Sequence, residues 1–304
     1  MQNDSQTPLN PDAPTFLHTP VLSRELIEGL GVCPGGNYLD ATVGGGGHSR
    51  LILAAAKDVK LTAIDQDQDA LKAAAENLAE FGEQVQFIHA NFSAYNFPVD
   101  TFDGIIADLG VSSYHLDCAE RGFSFRNAAN LDMRMNQEQD LTAADIVNFW
   151  SEADLVEICF KYGEERLSRR IIRRVIERRP FQTTTQLADA IASAVPPKYR
   201  YARIHPATRV FQALRIAVND ELKVLETFLE KAPQALVTGG KIAVISFHSL
   251  EDRIVKHTLR ETSSLRVITK KPIIAREDEI VENMRSRSAK LRIAEKVDKF
   301  GFEK

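Results

Sequence analysis

The stretch YLDATVGGGGHS (residues 38–49) decides the reading of this chain, because four consecutive glycines, Gly44 to Gly47, separate a short apolar run from a helix-like segment. Glycine loses more conformational freedom on folding than any other residue. A run of it is therefore kept where backbone must take positive φ or come close to something else. The flanking segments give the context. NYLDAT reads as a buried strand and HSRLILAAA as a helix. VKLTAIDQD follows as an apolar strand ending in acids, then the alanine-rich helix DALKAAAENLAEF, the strand VQFIHA and the strand FDGIIADLG. This β-α-β-α-β order predicts an α/β fold, a Rossmann-like and mostly parallel sheet covered by helices.

Outward from there, VLSRELIEGL (21–30) has helical spacing. The alternating style returns late, with the helix DELKVLETFLEKAPQAL, a turn at Gly239-Gly240 and the strand KIAVISF. Between Leu116 and His205 strands are scarce, and TAADIVNFWSEADLVEICFKYG and TTQLADAIASAV are helical throughout. The organisation expected is a tail over 1–16, a sheet domain built from 17–115 and 206–304, and an all-helical substrate-recognition insert over 116–205. The tail is rich in Asn, Asp, Gln, Thr and Pro and reads as disordered.

At 304 residues, 44% hydrophobic and 26% charged, the composition is that of a soluble globular protein. No apolar run is long enough for a bilayer, and the first residues lack the basic start and apolar core of a signal peptide. A cytoplasmic protein is expected. Three scattered cysteines, Cys33, Cys118 and Cys159, support neither a disulfide framework nor a zinc cluster. His115 and Cys118 have ligand-like spacing but lack a second pair, so no metal is expected. The net charge of −4 argues against a protein that coats nucleic acid indiscriminately. Charge is uneven, however. RLSRRIIRRVIERRP (166–180) carries seven arginines, with Leu167, Ile171, Ile172, Val175 and Ile176 at helical spacing. It reads as an amphipathic helix whose cationic face, with Arg170 and Arg174 at its centre, either binds phosphate or is simply solvated.

In open α/β sheets, ligands sit beyond the carboxyl ends of the strands, where loops lead into helices. A glycine loop there suits a dinucleotide or S-adenosylmethionine. The dinucleotide fingerprint is incomplete, because Ser49 occupies the place of the third glycine. Instead Asp40 ends the first strand, four residues before Gly44, and DATVGGGG resembles the first motif of the class I methyltransferases. Asp65, at the end of LTAID, stands where a carboxylate accepts from ribose hydroxyls in either ligand class; Asp67 is the weaker alternative. Phe92, in HANFS, either lies against adenine or packs in the core. IIADLGVSS ends the fourth strand, where base amino-methyltransferases carry an amine-receiving motif. Only its first residue, Asp108, is kept here, and Asp108 otherwise caps a loop.

DLGVSS followed by ERGFSF (120–125), LDMRM (131–135), YGEER (162–166), HPATRVFQALRIAVNDEL (205–222) and ISFHSLEDRIVK (245–256) closely resembles the MraW/RsmH family, from about His18 to Glu295. These are S-adenosylmethionine-dependent methyltransferases of 16S ribosomal RNA in the small subunit, acting on N4 of a cytosine in the decoding region. The resemblance implies a class I methyltransferase domain with a helical insert. It places the cofactor on Asp40, Gly45, Gly46, Gly47, His48, Asp65, Phe92 and Asp108, and on His115, where the family usually has glutamine. Asp108 is also the expected catalytic residue.

Cytosine N4 is a poor nucleophile, so the enzyme must position it and offer a polar acceptor for its N–H groups. A stacked base is inaccessible and must be splayed out and held by aromatic faces. Tyr114, Phe123 and Phe125 are candidates for that pocket, with packing between insert and sheet as the alternative. His205, Arg209, His248, Glu251 and Arg253 are expected near the cleft, shaping the RNA pocket. Two other classes compete: a dehydrogenase using NAD on the same sheet, and a non-catalytic RNA-binding protein. The sequence leaves the oligomeric state open, a homodimer included.

Overall fold

The protein is described here by a computed structural model covering residues 20–298, with the side chains of Ser113 and Tyr114 left out. The tail expected over 1–16 lies outside those residues. Helix α1 (Ser23–Leu30) precedes β1 (Asn37–Asp40), α2 (Gly47–Ala55), β2 (Lys60–Asp65), α3 (Gln68–Asn77), β3 (Val85–His89) and β4 (Phe102–Asp108). The insert holds α4 (Ser113–Asp117), α5 (Ala143–Phe149), α6 (Glu152–Lys161), α7 (Ser168–Glu177), α8 (Thr184–Ala194), α9 (Pro197–Arg200) and α10 (Ala207–Asn219). The chain returns through α11 (Glu221–Ala235), β5 (Leu236–Ser246), α12 (Ser249–Glu261), β6 (Leu265–Val267), β7 (Ile273–Ile274), α13 (Glu277–Glu282) and β8 (Lys290–Lys296).

The sheet order is β3-β2-β1-β4-β5-β8-β6, with β7 also on β8. β1 to β5 are mutually parallel, and β8 is antiparallel to β5, β6 and β7. Alternate residues of each strand go to opposite faces, and here both faces are buried. Tyr38, Ile106, Ala243 and Ile245 pack under α1, α2 and α3. Leu39, Ile105, Ile242 and Val244 pack under α11 and α12. No polar face remains, which is why these strands read as continuous apolar runs.

Two expectations change. Gly239 and Gly240 do not turn the chain into a strand; they form an irregularity inside β5, where the register to β4 jumps between Phe102 and Gly104. A side chain at position 240 would meet the carbonyl oxygens of Phe102 and Val237 at 2.9 Å, so the bulge needs glycine. The insert boundary also moves. Val210, Phe211, Leu214 and Val218 of α10 are buried in the core formed by the insert helices, not against the sheet, so the insert extends to about Asn219. Among the described residues no helix is long and apolar enough to cross a membrane.

The insert is fastened to the sheet domain by a buried ion pair. Asp67 caps α3 through the amide of Asp69. It is 2% exposed and also accepts from Arg121 Nη1 at 2.8 Å and from His115 Nε2 at 2.7 Å. Burial alone would raise its pKa, but the hydrogen bond from His115 and the charge of Arg121 outweigh it and hold the carboxyl at about 2. Asp67→Ala takes from the buried Arg121 guanidinium its nearest carboxylate, leaving Asp69 at 3.8 Å. It should lower the unfolding free energy by about 3–5 kcal/mol, read as a shift of the urea midpoint. Because the folded pKa lies below the unfolded value of 3.8, the wild-type contribution is present above pH 4. It fades as pH falls towards 2, so the gap between wild type and variant should narrow over that window.

Candidate active site

Three adjacent parallel strands end in acids, Asp40 on β1, Asp65 on β2 and Asp108 on β4, and the glycine loop is built across them. Asp40 is 1% exposed and sits beneath the loop, accepting from Ser49 Oγ at 2.7 Å and from Thr42 N at 3.1 Å. Its burial pushes the carboxyl up to about 6. Asp65 accepts from Gly44 N through one oxygen and from Asp67 N through the other, both at 2.9 Å. Burial raises its pKa as well. Thr42 Oγ1 accepts from the amide of Asp108 at 2.7 Å, and Asn77 Nδ2 donates to Gly45 O at 2.9 Å. The loop is thus clamped from three strands and from α3.

Two of its glycines take positive φ, Gly44 at +50° and Gly46 at +84°. Gly44 opens onto the cleft, whereas a side chain on Gly46 would press at 3.2 Å on Leu78, the residue that ends α3. Gly46 therefore serves the fit of the loop against α3.

Of the residues expected at the cofactor, Gly45, Gly47, His48, Asp65, Phe92, Asp108 and His115 line one cleft, together with Gly44. Asp40 and Gly46 lie just behind that lining, Asp40 beneath the loop and Gly46 against Leu78. His115 lines the cleft, but its ring nitrogens are engaged by Asp67 and by the amide of Ser112, which donates to Nδ1 at 3.2 Å. The polar contact expected of a glutamine there is not on offer from those nitrogens. Phe92 meets Phe228 edge-on at 5.1 Å and leaves its other side to the cleft.

Asp108 is the least satisfied group in the site. Its Oδ1 is buried without a hydrogen bond, and Oδ2 lies 3.6 Å from His48 Nδ1. His48 Nε2 faces Val21 O at 2.8 Å, which makes it the protonated nitrogen and leaves a lone pair on Nδ1. Burial lowers the pKa of His48. Burial and the charge of Glu251 push Asp108 up to about 7. An unpartnered acid that changes protonation near neutrality, in a cleft, is suited to proton transfer.

The acids Glu221 and Glu251 also line the cleft. Glu221 takes a two-pronged contact from half-buried Arg215, at 2.8 Å on each oxygen. Glu251 accepts from the amides of Phe247 and His248 and lies 3.1 Å from His248 Nε2. Glu221, His248 and Glu251 bring their ligand atoms within 4.8 Å of one another, a spacing that could hold a metal ion. Arg215 already supplies the countercharge, so the group balances without one. Arg215 and Glu221 are the residues the sequence reading missed. They straddle Asn219 and Asp220 within RIAVNDEL, and only the left-handed turn at Asp220 brings them face to face.

The expected RNA-side residues are dispersed. Phe123 is buried in the insert core against the His115 ring, and Phe125 packs between His205 and Phe211. Both follow the packing alternative. The side chain of Tyr114 lies outside the described residues. His205 is exposed, and His248 caps α12. Arg209 donates to the Tyr199 hydroxyl, and Arg253 pairs with Glu164. On α7, Arg170 donates to Ala194 O and Arg174 pairs with Glu177, so the two arginines singled out from the sequence already have protein partners. Arg166, Arg169 and Arg173 are exposed and form no ion pair among the described residues. Cys118 and His115 do not form a metal pair, since His115 is held by Asp67.

Gly46→Ala forces a side chain into left-handed backbone and into Leu78, and should destabilise by about 1–3 kcal/mol. Chemical denaturation should show this loss with the unfolding slope unchanged.

The family model for MraW methylases matches residues 15–297. The ribosomal RNA small subunit methyltransferase H of Nostoc punctiforme is 72% identical over 297 residues, covering 98% of this chain and 100% of that protein. The protein of the same name from Trichormus variabilis is 71% identical over 303 residues, covering 100% of this chain and 99% of the relative. A cleft framed by the glycine loop and Asp108, in a chain alike from end to end, has one family to go to: the chain belongs to the MraW methylase family.

Proposed function

We propose that this chain transfers a methyl group from S-adenosylmethionine to N4 of a cytosine in the decoding region of small-subunit ribosomal RNA. The observation that carries the reading is the charge of the cleft. Asp65, Asp108, Glu221 and Glu251 line it; Arg215 is set against Glu221 and Glu251, and Arg285 pairs with Asp117, which leaves Asp65 and Asp108 without a cationic partner from Lys or Arg among the described residues. Carboxylates so placed repel a pyrophosphate and attract a sulfonium, so a dinucleotide dehydrogenase is the poorer fit. The unpartnered Asp108 Oδ1 also counts against a non-catalytic binding protein, since a buried acceptor without a donor costs stability unless the carboxyl takes up a proton.

S-adenosylmethionine supplies, when bound, an electrophilic methyl group on positively charged sulfur. The backbone of Gly44, Gly45 and Gly47 gives it a surface without side chains. Asp65 retains lone pairs after taking two amides and receives the ribose hydroxyls, and Phe92 offers a ring face to adenine. Asp108 holds the cytosine amine by one N–H through its accessible oxygen, Oδ2, and takes its proton there as N4 gains the methyl group. His48 lies beside that same oxygen, 3.6 Å away, and its Nδ1 lone pair stabilises the protonated form that results. Glu251 keeps Asp108 basic enough for the task by its like charge.

The ionised carboxylate is the active form of a base, so kcat/KM should rise with pH through about 7 and level off above it. With cofactor bound, the sulfonium favours the carboxylate and the limb in kcat should lie lower. Asp108→Asn should remove the limb and reduce single-turnover methylation of small subunits by about 10²-fold, the scale of one preorganised electrostatic partner. Cofactor affinity should change far less. An Asn variant that methylates at the wild-type rate with saturating cofactor would transfer the acceptor role to a backbone carbonyl. Glu251→Gln keeps the cap of α12 but removes the like charge, so its limb in kcat/KM should shift to lower pH.

A further inference from the structure

In a chain of net charge −4, the stretch PPKYRYARIHPATR (196–209) contains Lys198, Arg200, Arg203 and Arg209 and no acid. Its base is rigidly held. Buried Glu165 accepts from the Tyr199 hydroxyl at 2.6 and 2.8 Å and from Leu167 N at 2.7 Å. Arg209 donates to the same hydroxyl at 3.1 Å and lies 3.8 Å from Glu165. Its tip is bare: Tyr201 is 82% exposed and Ile204 57%. Lys198 and Arg203 form no ion pair among the described residues. α7 flanks the stretch, because Arg170 reaches Ala194 O just before it, and the unpaired Arg166, Arg169 and Arg173 belong to the same helix and its approach. The base of the platform is linked towards the cleft. Glu164, next to Glu165, accepts from Ser249 and Arg253 at the start of α12, one turn from the cleft residue Glu251.

A protein surface ordinarily intersperses charges of both signs, because clustered cations repel one another. A cluster kept on a rigid base around one exposed aromatic ring fits an anionic polymer with flat faces. Single-stranded RNA has both properties: phosphates for the cations and unstacked bases for the ring. A protein partner would call for a broader apolar patch than one tyrosine and one isoleucine.

We propose that residues 197–205 and the neighbouring arginines of α7 form a docking platform for single-stranded RNA, in which Tyr201 stacks an unpaired base near the nucleotide that enters the cleft. This rests on the RNA methyltransferase reading above and adds a binding element outside the reacting site. It accounts for the placement of an exposed tyrosine among unpaired cations, and for the buried Glu165 network that fixes the segment beneath it.

The test is fluorescence anisotropy with the full chain and a labelled single-stranded oligoribonucleotide, across a salt series. Tyr201→Ala should weaken binding about tenfold, the scale of one lost base–aromatic stack, with the salt dependence unchanged. Tyr201→Phe should bind as wild type. Lys198→Gln and Arg203→Gln should each flatten the log–log salt slope by about 0.7. S-adenosylmethionine affinity should be the same in all four variants. Wild-type affinity in Tyr201→Ala overturns the platform, and so does a loss seen with assembled small subunits but not with naked RNA, which would assign the surface to a ribosomal protein. Wild-type protein that methylates small subunits while Tyr201→Ala binds RNA normally refutes the platform alone. Wild-type protein that neither binds RNA nor methylates refutes the functional reading with it.

Discussion

Everything in the cleft depends on holding carboxylates at the ends of three neighbouring strands, away from water. Charges of one sign in a low-dielectric site must be matched by donors or take up protons. The chain solves this differently at each strand. Asp40 is given a hydroxyl and an amide, one on each oxygen, and both fix the loop above it. Asp65 is likewise given two amides and keeps its outer face for the cleft. Asp108 is given nothing on one oxygen and a histidine lone pair beside the other. The acids of β1 and β2 are matched by donors, and the acid of β4, which also lines the cleft, is not.

The same economy governs how the insert meets the sheet. Asp67 draws Arg121 and His115 onto the top of β2, and Arg121 in turn donates to the carbonyls of Arg134 and Met135. Asn219, at the end of α10, braces the insert from within by bridging Met133 and Met135. Glu164 adds a second tie, to α12, and Asp117 a third, to Arg285. The insert thus holds its side of the cleft in place.

The parallel half of the fold was legible because fully buried strands and their helices have distinct apolar periods, and glycine and acid mark the strand ends. The antiparallel strands β6, β7 and β8 were not read, since they are short or rich in charge, as in KLRIAEK. That Asp40 and Gly46 sit behind the cleft lining was not legible for a related reason: sequence places a residue on a loop but not on its inner or outer side. Phe123 and Phe125 followed the rule that aromatic residues near a site are more often packing than pocket. Arg170 and Arg174 lay on the expected helix, yet the pattern of charge could not show that a helix end and a glutamate had claimed them. Arg215 and Glu221 depended on a left-handed turn that no local pattern announces.

The position of β8 has a consequence for how the chain comes into being. β5 pairs with β4 on one side and with β8 on the other, and β6 and β7 reach the sheet only through β8. During synthesis the insert, contiguous from α4 to α10, can assemble from local contacts as it emerges. The sheet cannot: β5 waits as an open, apolar edge until residues 290–296 arrive to cover it. Such an edge invites pairing with other chains, and contacts so distant in sequence close slowly. The nascent protein is therefore at its most sticky after its helical insert has formed and before its sheet is sealed.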